Sequence, residues 1–240
     1  VCMDQIFNQA AKTRYMFGGQ LSVPMVIRLP GGAGLNFGAT HSQSLEALLI
    51  HAPGLKVVMP SDPRDGKGLL KSAIRDPNPV AFFEHKMLYK VKGPVPEEEY
   101  TIPLGQVDIK RDGTDVCIIA LSLMVTKALA AAETLAKEGI NAMVLDPRTL
   151  VPLDKTGIVE AVRKTNRVII VEEGCKTGGV GAEIVAVINE EAFDYLDAPV
   201  GRVAAHDAPI PFSPPLEDYI LPNEEKIVTA VKKVMEGVSV

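Results

Sequence analysis

Four histidines and three cysteines are the residues of this sequence best suited to proton transfer, nucleophilic attack or metal ligation. His41, His51, His85 and His206 make no i, i+4 pair, and none stands in a His-x-Glu with a downstream Cys-x-x-Cys. That spacing disfavours zinc. His41 lies in Ala39-Thr40-His41-Ser42-Gln43, at a loop-to-helix junction among polar residues. An imidazole exposed there can exchange protons near neutral pH, although spacing alone favours the plainer reading of a structural or surface histidine. Cys2, Cys117 and Cys175 are odd in number and far apart, so they read as reduced thiols of an intracellular protein, with Cys117 inside an apolar run. Two glycine-rich stretches follow predicted strands. Gly31-Gly32-Ala33-Gly34, with Gly38, lacks the Lys-Ser/Thr ending of a phosphate loop, and Asn36-Phe37-Gly38 does not open a helix as a dinucleotide fingerprint would. Gly174-Cys175-Lys176-Thr177-Gly178-Gly179-Val180-Gly181 stands where a helix N-terminus could bind an anion, but lacks the same ending. Both read as tight loops with unusual dihedrals.

These residues sit in an alternating pattern of helices and strands. In the first half, helical spacing over 4–16 ends before Gly18-Gly19, and 23–29 reads as a buried strand. Ser42 is placed to cap a helix with the stripe Leu45, Leu48, Leu49. A short strand at 55–59, a helix opened by Ser61, Asp62 and Pro63, and a strand at 79–83 follow. The pattern breaks in Lys92-Gly93-Pro94-Val95-Pro96-Glu97-Glu98-Glu99, which sets a boundary: a first domain over 1–95, a linker over 96–104 and a second domain over 105–240. The second half predicts strands at 116–120, 142–145, 168–171 and 200–204. Between and after them it predicts helices at 123–138, from Asp154 to about Lys164, at 179–191 and at 223–236. Such alternation predicts an α/β fold, two sheets covered by helices on both faces.

Composition bounds the function classes. A net charge of −5 argues against a general basic grip on nucleic acid. No apolar run approaches the ~18–20 residues of a membrane span. The opening Val1-Cys2-Met3-Asp4 shows no leader pattern, and an opening directly in helical spacing suggests material missing upstream.

Several stretches resemble one family over nearly the whole chain. They are Asp4-Gln5-Ile6-Phe7-Asn8-Gln9-Ala10-Ala11-Lys12 with Arg14-Tyr15-Met16 and Gly18-Gly19-Gln20; His41-Ser42-Gln43-Ser44; Pro53-Gly54-Leu55-Lys56-Val57-Val58-Met59-Pro60; Ala73-Ile74-Arg75-Asp76-Pro77-Asn78-Pro79; Arg148-Thr149-Leu150 before Pro152-Leu153-Asp154; and Leu196-Asp197-Ala198-Pro199. Together they resemble the beta subunit of the thiamine-diphosphate-dependent first component of 2-oxo acid (pyruvate-type) and acetoin dehydrogenase complexes. The resemblance implies a transketolase-like pyrimidine-binding domain, here incomplete, followed by a transketolase C-terminal domain. It implies an α2β2 enzyme whose alpha subunit holds the diphosphate and magnesium. In that family the cofactor supports cleavage of a carbon–carbon bond beside a carbonyl, and the acyl unit passes to lipoyl on an acyltransferase second component.

Carried over by residue, His41 matches the family's active-site histidine, serving proton transfer or positioning of lipoyl. Met25, Ala73, Ile74, Asp76 and Asn78 match a structural potassium site of some relatives, and a plain helix-end turn is the alternative there. Asp197 matches a position that docks the second component, and a solvated loop carboxylate is its alternative. The family's cofactor-protonating glutamate and ring-stacking aromatic are expected upstream of Val1. Glu46 and Glu84 are not their equivalents, and the 240 residues by themselves are expected not to activate the cofactor. A truncated subunit kept for assembly and docking is the competing reading, and a single-chain relative such as a deoxyxylulose-phosphate synthase is a third. Val1 to Gln9, Phe83-Glu84-His85-Lys86 and 177–184 lean toward acetoin-type subunits. A bacterial cytoplasmic location is expected, with a mitochondrial matrix or plastid as the alternative.

Overall fold

The computed structural model describes residues 2–240; Val1, the first residue of one acetoin-like stretch, lies outside them. Two sheets carry the chain. The first has the order β1-β3-β2-β7, from β1 (Val26–Gly31), β2 (Lys56–Val58), β3 (Val80–His85) and β7 (Thr149–Val151). The second has the order β4-β6-β5-β8-β9, from β4 (Asp108–Arg111), β5 (Val116–Ala120), β6 (Ala142–Asp146), β8 (Val168–Cys175) and β9 (Gly201–Ala205). All neighbours run parallel except β7 on β2 and β4 on β6.

β5, at the centre of the second sheet, is apolar at every position because both its faces are covered. Along β5, Val116, Ile118 and Ala120 face a core with α4 (Leu123–Lys137) and α8 (Glu224–Met235). Cys117 and Ile119 point the other way, to α5 (Lys155–Thr165) and α6 (Val180–Glu191). This second core continues into the first half through Ala11, Leu49, Val57, Ala81 and Phe83, so one apolar layer joins the two sheets. Side-chain alternation with period two separates the two cores. The outer face of the first sheet is closed by α3 (Pro63–Arg75), whose Leu69 and Ala73 pack on Val58, Val80 and Phe82.

Caps explain the clearest helix starts. The Asp62 carboxylate accepts the Asp65 N–H at 2.8 Å with Pro63 in the first turn of α3, and Asp154 accepts the Gly157 N–H at 3.0 Å at the start of α5. Other expectations shift. The opening helix is π-helical over Gln5–Ala10 before α1 (Ala11–Met16). The strand expected over 23–29 begins at Val26, because Pro24 has no N–H for a ladder. Ser42 caps nothing: α2 (Glu46–Ile50) opens after Leu45, and the Ser42 hydroxyl is buried without a partner. Leu45 and Leu48 of the expected buried stripe are exposed. β4, β7 and α7 (Pro214–Ile220) are elements the sequence pattern did not mark. β7 matters most, because residues of the second half hydrogen-bond into the first sheet.

A buried ionic cluster strengthens that joint. The Lys110 ammonium meets Asp62 at 2.7 Å, Asp65 at 2.5 Å and Asp108 at 2.7 Å, with Asp146 at 3.9 Å. The Arg148 guanidinium reaches Asp65 at 3.4 Å. Asp62 and Asp65 belong to the first half and their cations to the second. The interior charges are thus paired across the joint, as burial requires.

Candidate functional site

β1 and β3 are parallel and in register to their last residues, Gly31 beside His85. Their carboxyl ends therefore release residues 32–45 and Lys86 side by side, the place where parallel α/β sheets gather ligand-binding loops. His41 is exposed in that loop, on the wall of a cleft of about 660 Å³ shared with Phe37, Gln43, Lys86 and Phe212. The Lys86 ammonium donates to the His41 carbonyl and stands 5.2 Å from the Phe37 ring centroid. A narrower apolar cavity of about 220 Å³ shares Gly31, Gln43 and Leu45 with the cleft and runs back to Ile6, Leu29 and Phe83. A polar mouth with an imidazole and an ammonium over an apolar floor suits a small carbonyl compound or an acyl chain.

The loop is held by carboxylates of the second half. Glu173, buried at the end of β8, accepts the Ala33 N–H at 2.8 Å and the Ser44 hydroxyl at 3.0 Å on Oε1, and meets His85 Nε2 at 2.9 Å on Oε2. Glu217 of α7, also buried, accepts the Gly34 and Asn36 N–H groups at 2.9 and 3.0 Å. Gly32 adopts φ +86°, and a Cβ there would stand 2.2 Å from His85 Nε2, so glycine is required. The Ala33, Gly34 and Asn36 amides of this glycine loop thus point at fixed carboxylates, and the Gly32 amide at the Gln43 carbonyl, not at a phosphate. The second glycine stretch is closed in the same way: Glu172 accepts the Gly181 N–H at 3.0 Å and is paired with Arg202 at 2.7 Å.

Burial and charge act oppositely on neighbouring carboxyls. Desolvation pushes the Glu173 carboxyl up, but His85, the Ala33 amide and Ser44 hold it below the usual range overall. Glu46, at the start of α2, is pushed up to about 7 by burial, against the pull of its own amide and with the charges of Glu172 and Glu173 adding to the rise. Glu84 is held below its usual range: its burial is outweighed by Arg28, at 2.6 and 2.8 Å, and by the Tyr89 hydroxyl at 2.6 Å.

The remaining expected residues lie elsewhere. Met25, Ala73, Ile74, Asp76 and Asn78 gather at the opposite, amino ends of β1 and β3. There the Met25 carbonyl accepts the Val80 N–H at 2.8 Å and the Ala73 carbonyl accepts the Asp76 N–H at 3.3 Å. The Asp76 carboxylate is taken up by Asn78 and by the Lys56 ammonium. Asp197 is half-exposed beside Arg167 at 3.1 Å. His51 is exposed after α2, and His206 stacks on Tyr219 at 5.3 Å. Among the described residues no group of three or more His, Cys, Asp or Glu is arranged to hold a metal ion. Phe212, Glu173 and Glu217 belong to the site but carried no sequence signal, since each reaches it from a distant segment, and Lys86 was marked only as part of an acetoin-like stretch.

Comparison with known proteins agrees with this architecture. Residues 3–92 match the transketolase pyrimidine binding domain, and residues 105–227 match the transketolase C-terminal domain. The chain is 50% identical over 98% of its length to the acetoin:2,6-dichlorophenolindophenol oxidoreductase subunit beta of Bacillus subtilis, covering 68% of that protein. It is 49% identical over 96% of its length to the pyruvate dehydrogenase E1 component subunit beta of Rickettsia felis, covering 71% of it. It is also similar to a split gene transketolase solved as an inactive beta4 tetramer, with a TM-score of 0.73 and 26% identity over 97% of this chain and 74% of that one. With its two transketolase-type domains and its loop histidine at the strand ends, the chain belongs to the E1 beta subunits of the thiamine-diphosphate-dependent 2-oxo acid and acetoin dehydrogenases.

Proposed function

We propose that this chain is the beta subunit of an oxidoreductase that cleaves a carbon–carbon bond beside the carbonyl of a pyruvate-like 2-oxo acid or acetoin, passing the acyl unit to lipoyl. The observation that carries this reading is His41, exposed over an apolar-floored cleft at the carboxyl ends of β1 and β3. Thiamine diphosphate supplies the carbanion chemistry when bound. The cleft suits its ring end and the substrate; the diphosphate and magnesium find no cradle here, because Glu173 and Glu217 already take the loop amides. Those parts fall to an alpha subunit. His41 moves a proton at the substrate oxygen, Lys86 fixes the backbone that carries it, and Phe37 and Phe212 exclude water. Phe37, Leu45 and Phe212 lie exposed round the cleft, with Leu216 and Tyr219 on the face of α7 nearby. An apolar rim of this kind suits contact with an alpha subunit and a second beta copy in an α2β2 enzyme.

Four further assignments belong to this reading. Asp197 docks the lipoyl-bearing acyltransferase. The turn at Asp76 holds potassium through the carbonyls of Met25, Ala73, Ile74, Asp76 and Asn78, since Lys56 already neutralises the Asp76 carboxylate. The domain boundary lies at 96–104, and the setting is a bacterial cytoplasm.

The test mixes the full-length chain with its alpha subunit and thiamine diphosphate, and follows reduction of an artificial acceptor with pyruvate or acetoin. Turnover that falls on the order of 100-fold in His41→Ala is expected. Unchanged turnover would remove His41 from the reaction.

A further inference from the structure

We propose that Glu173 is a positioning residue for the His41 loop, a carboxylate of the second half that pins both feet of the loop and the neighbour of its apex; the inference rests on the role of His41 given above. Residues 32–45 form no regular element; one backbone bond, from the Gly32 N–H to the Gln43 carbonyl at 3.1 Å, draws the two ends together, and the rest of their placement comes from side chains. Ala33 and Ser44 stand at the two ends of that segment, and both donate to one oxygen, Glu173 Oε1, at 2.8 and 3.0 Å. Glu173 Oε2 meets His85 Nε2 at 2.9 Å, and the next residue, Lys86, holds the His41 carbonyl. One buried carboxylate therefore fixes where the loop leaves β1, where it enters α2 and where its apex is tied. Glu217 adds two amides on the rising limb but reaches neither the returning limb nor His85.

The geometry demands an acceptor at both oxygens. His85 Nδ1 accepts the Met87 N–H at 3.2 Å, so Nε2 carries the proton and donates to Glu173. A glutamine at 173 would fill the same space but would turn an NH2 toward one of these partners. Facing His85, it would demand the other tautomer and set Nδ1–H against the Met87 N–H. Facing the loop, it would lose the Ala33 N–H. An aspartate would fall short by one methylene. The carboxylate is thus specified by three donors converging on it, while Glu172 beside it serves Arg202 and the start of α6.

The experiment compares wild type, Glu173→Gln and Ser44→Ala in the assembled enzyme. It measures kcat and KM with pyruvate or acetoin together with amide hydrogen exchange. For Glu173→Gln the expected result is a fall in kcat of about 10- to 100-fold, as loss of aligned geometry costs, with KM little changed. Faster exchange should be confined to residues 33–44 and 85–87. Ser44→Ala, which removes one foot only, should give a smaller change of the same pattern. Wild-type kcat and wild-type exchange in Glu173→Gln would overturn the inference. So would faster exchange throughout β5 and β8, which would mark Glu173 as a general structural residue. If wild type turns over no carbonyl substrate, the proposed function fails, and the exchange pattern still decides whether Glu173 holds the loop.

Discussion

Asp146 gives the most quantitative test of the joint between the two halves. It is fully buried at the end of β6, where Oδ1 accepts the Arg148 N–H at 2.8 Å and Oδ2 accepts the Ser61 hydroxyl. Burial pushes its carboxyl up to about 7, against the pull of Ser61, Lys110 and the Arg148 amide, while Asp65 nearby adds to the rise. The folded chain therefore binds a proton that the unfolded chain releases near pH 4. Between those two pH values the native state holds more protons, so stability from this group is greatest at low pH and falls as pH rises. Over roughly three pH units the loss is on the order of 4 kcal/mol. Asp146→Asn keeps the acceptor for the Arg148 N–H and offers an amide to the Ser61 hydroxyl, but it cannot ionise. Urea unfolding of both proteins from pH 4 to pH 8.5 checks this, with slopes compared to exclude a change in the unfolded state. The variant should match wild type near pH 4, exceed it increasingly up to about pH 7, and hold a constant advantage above that. Glu46, also raised to about 7, contributes to both curves and cancels in their difference. A difference that stays flat across this range, or a variant less stable than wild type at pH 8, would refute the reasoning.

Two other substitutions probe the site and the proposed docking point. Gly32→Ala combines a left-handed φ of +86° with a Cβ 2.2 Å from His85 Nε2 and should cost about 2–4 kcal/mol. Gly178→Ala has a similar φ of +67° in open space and should cost only about 1–2 kcal/mol, so thermal denaturation of the two separates clash from strain. Asp197→Ala removes a half-exposed partner of Arg167, so stability should move by less than about 1 kcal/mol. Binding of the acyltransferase component, followed by calorimetry, should weaken clearly while acceptor-dye turnover stays intact; equal loss of both would assign Asp197 to folding.

Much of the fold was legible because local rules and tertiary context agree. The strand at 116–120 and the helices capped by Asp62 and Asp154 follow from apolar periodicity and one side-chain cap each. Ser42 misled, because a hydroxyl before an apolar run is a cap only if the backbone turns there, and the chain delays its helix to Glu46. β7 was invisible because three residues carry no period of their own, and their pairing with β2 is a long-range event.

The same division holds for the site. By itself the sequence determined that His41 sits in a polar loop beside a glycine turn, and its likeness to known subunits marked that histidine for chemistry. Only the tertiary structure decided what holds the loop. Glu173 and Glu217 are 129 and 183 residues from their partners Ser44 and Gly34 along the chain. A carboxylate's meaning depends on the donors that burial brings to it, and no spacing within the chain encodes that convergence.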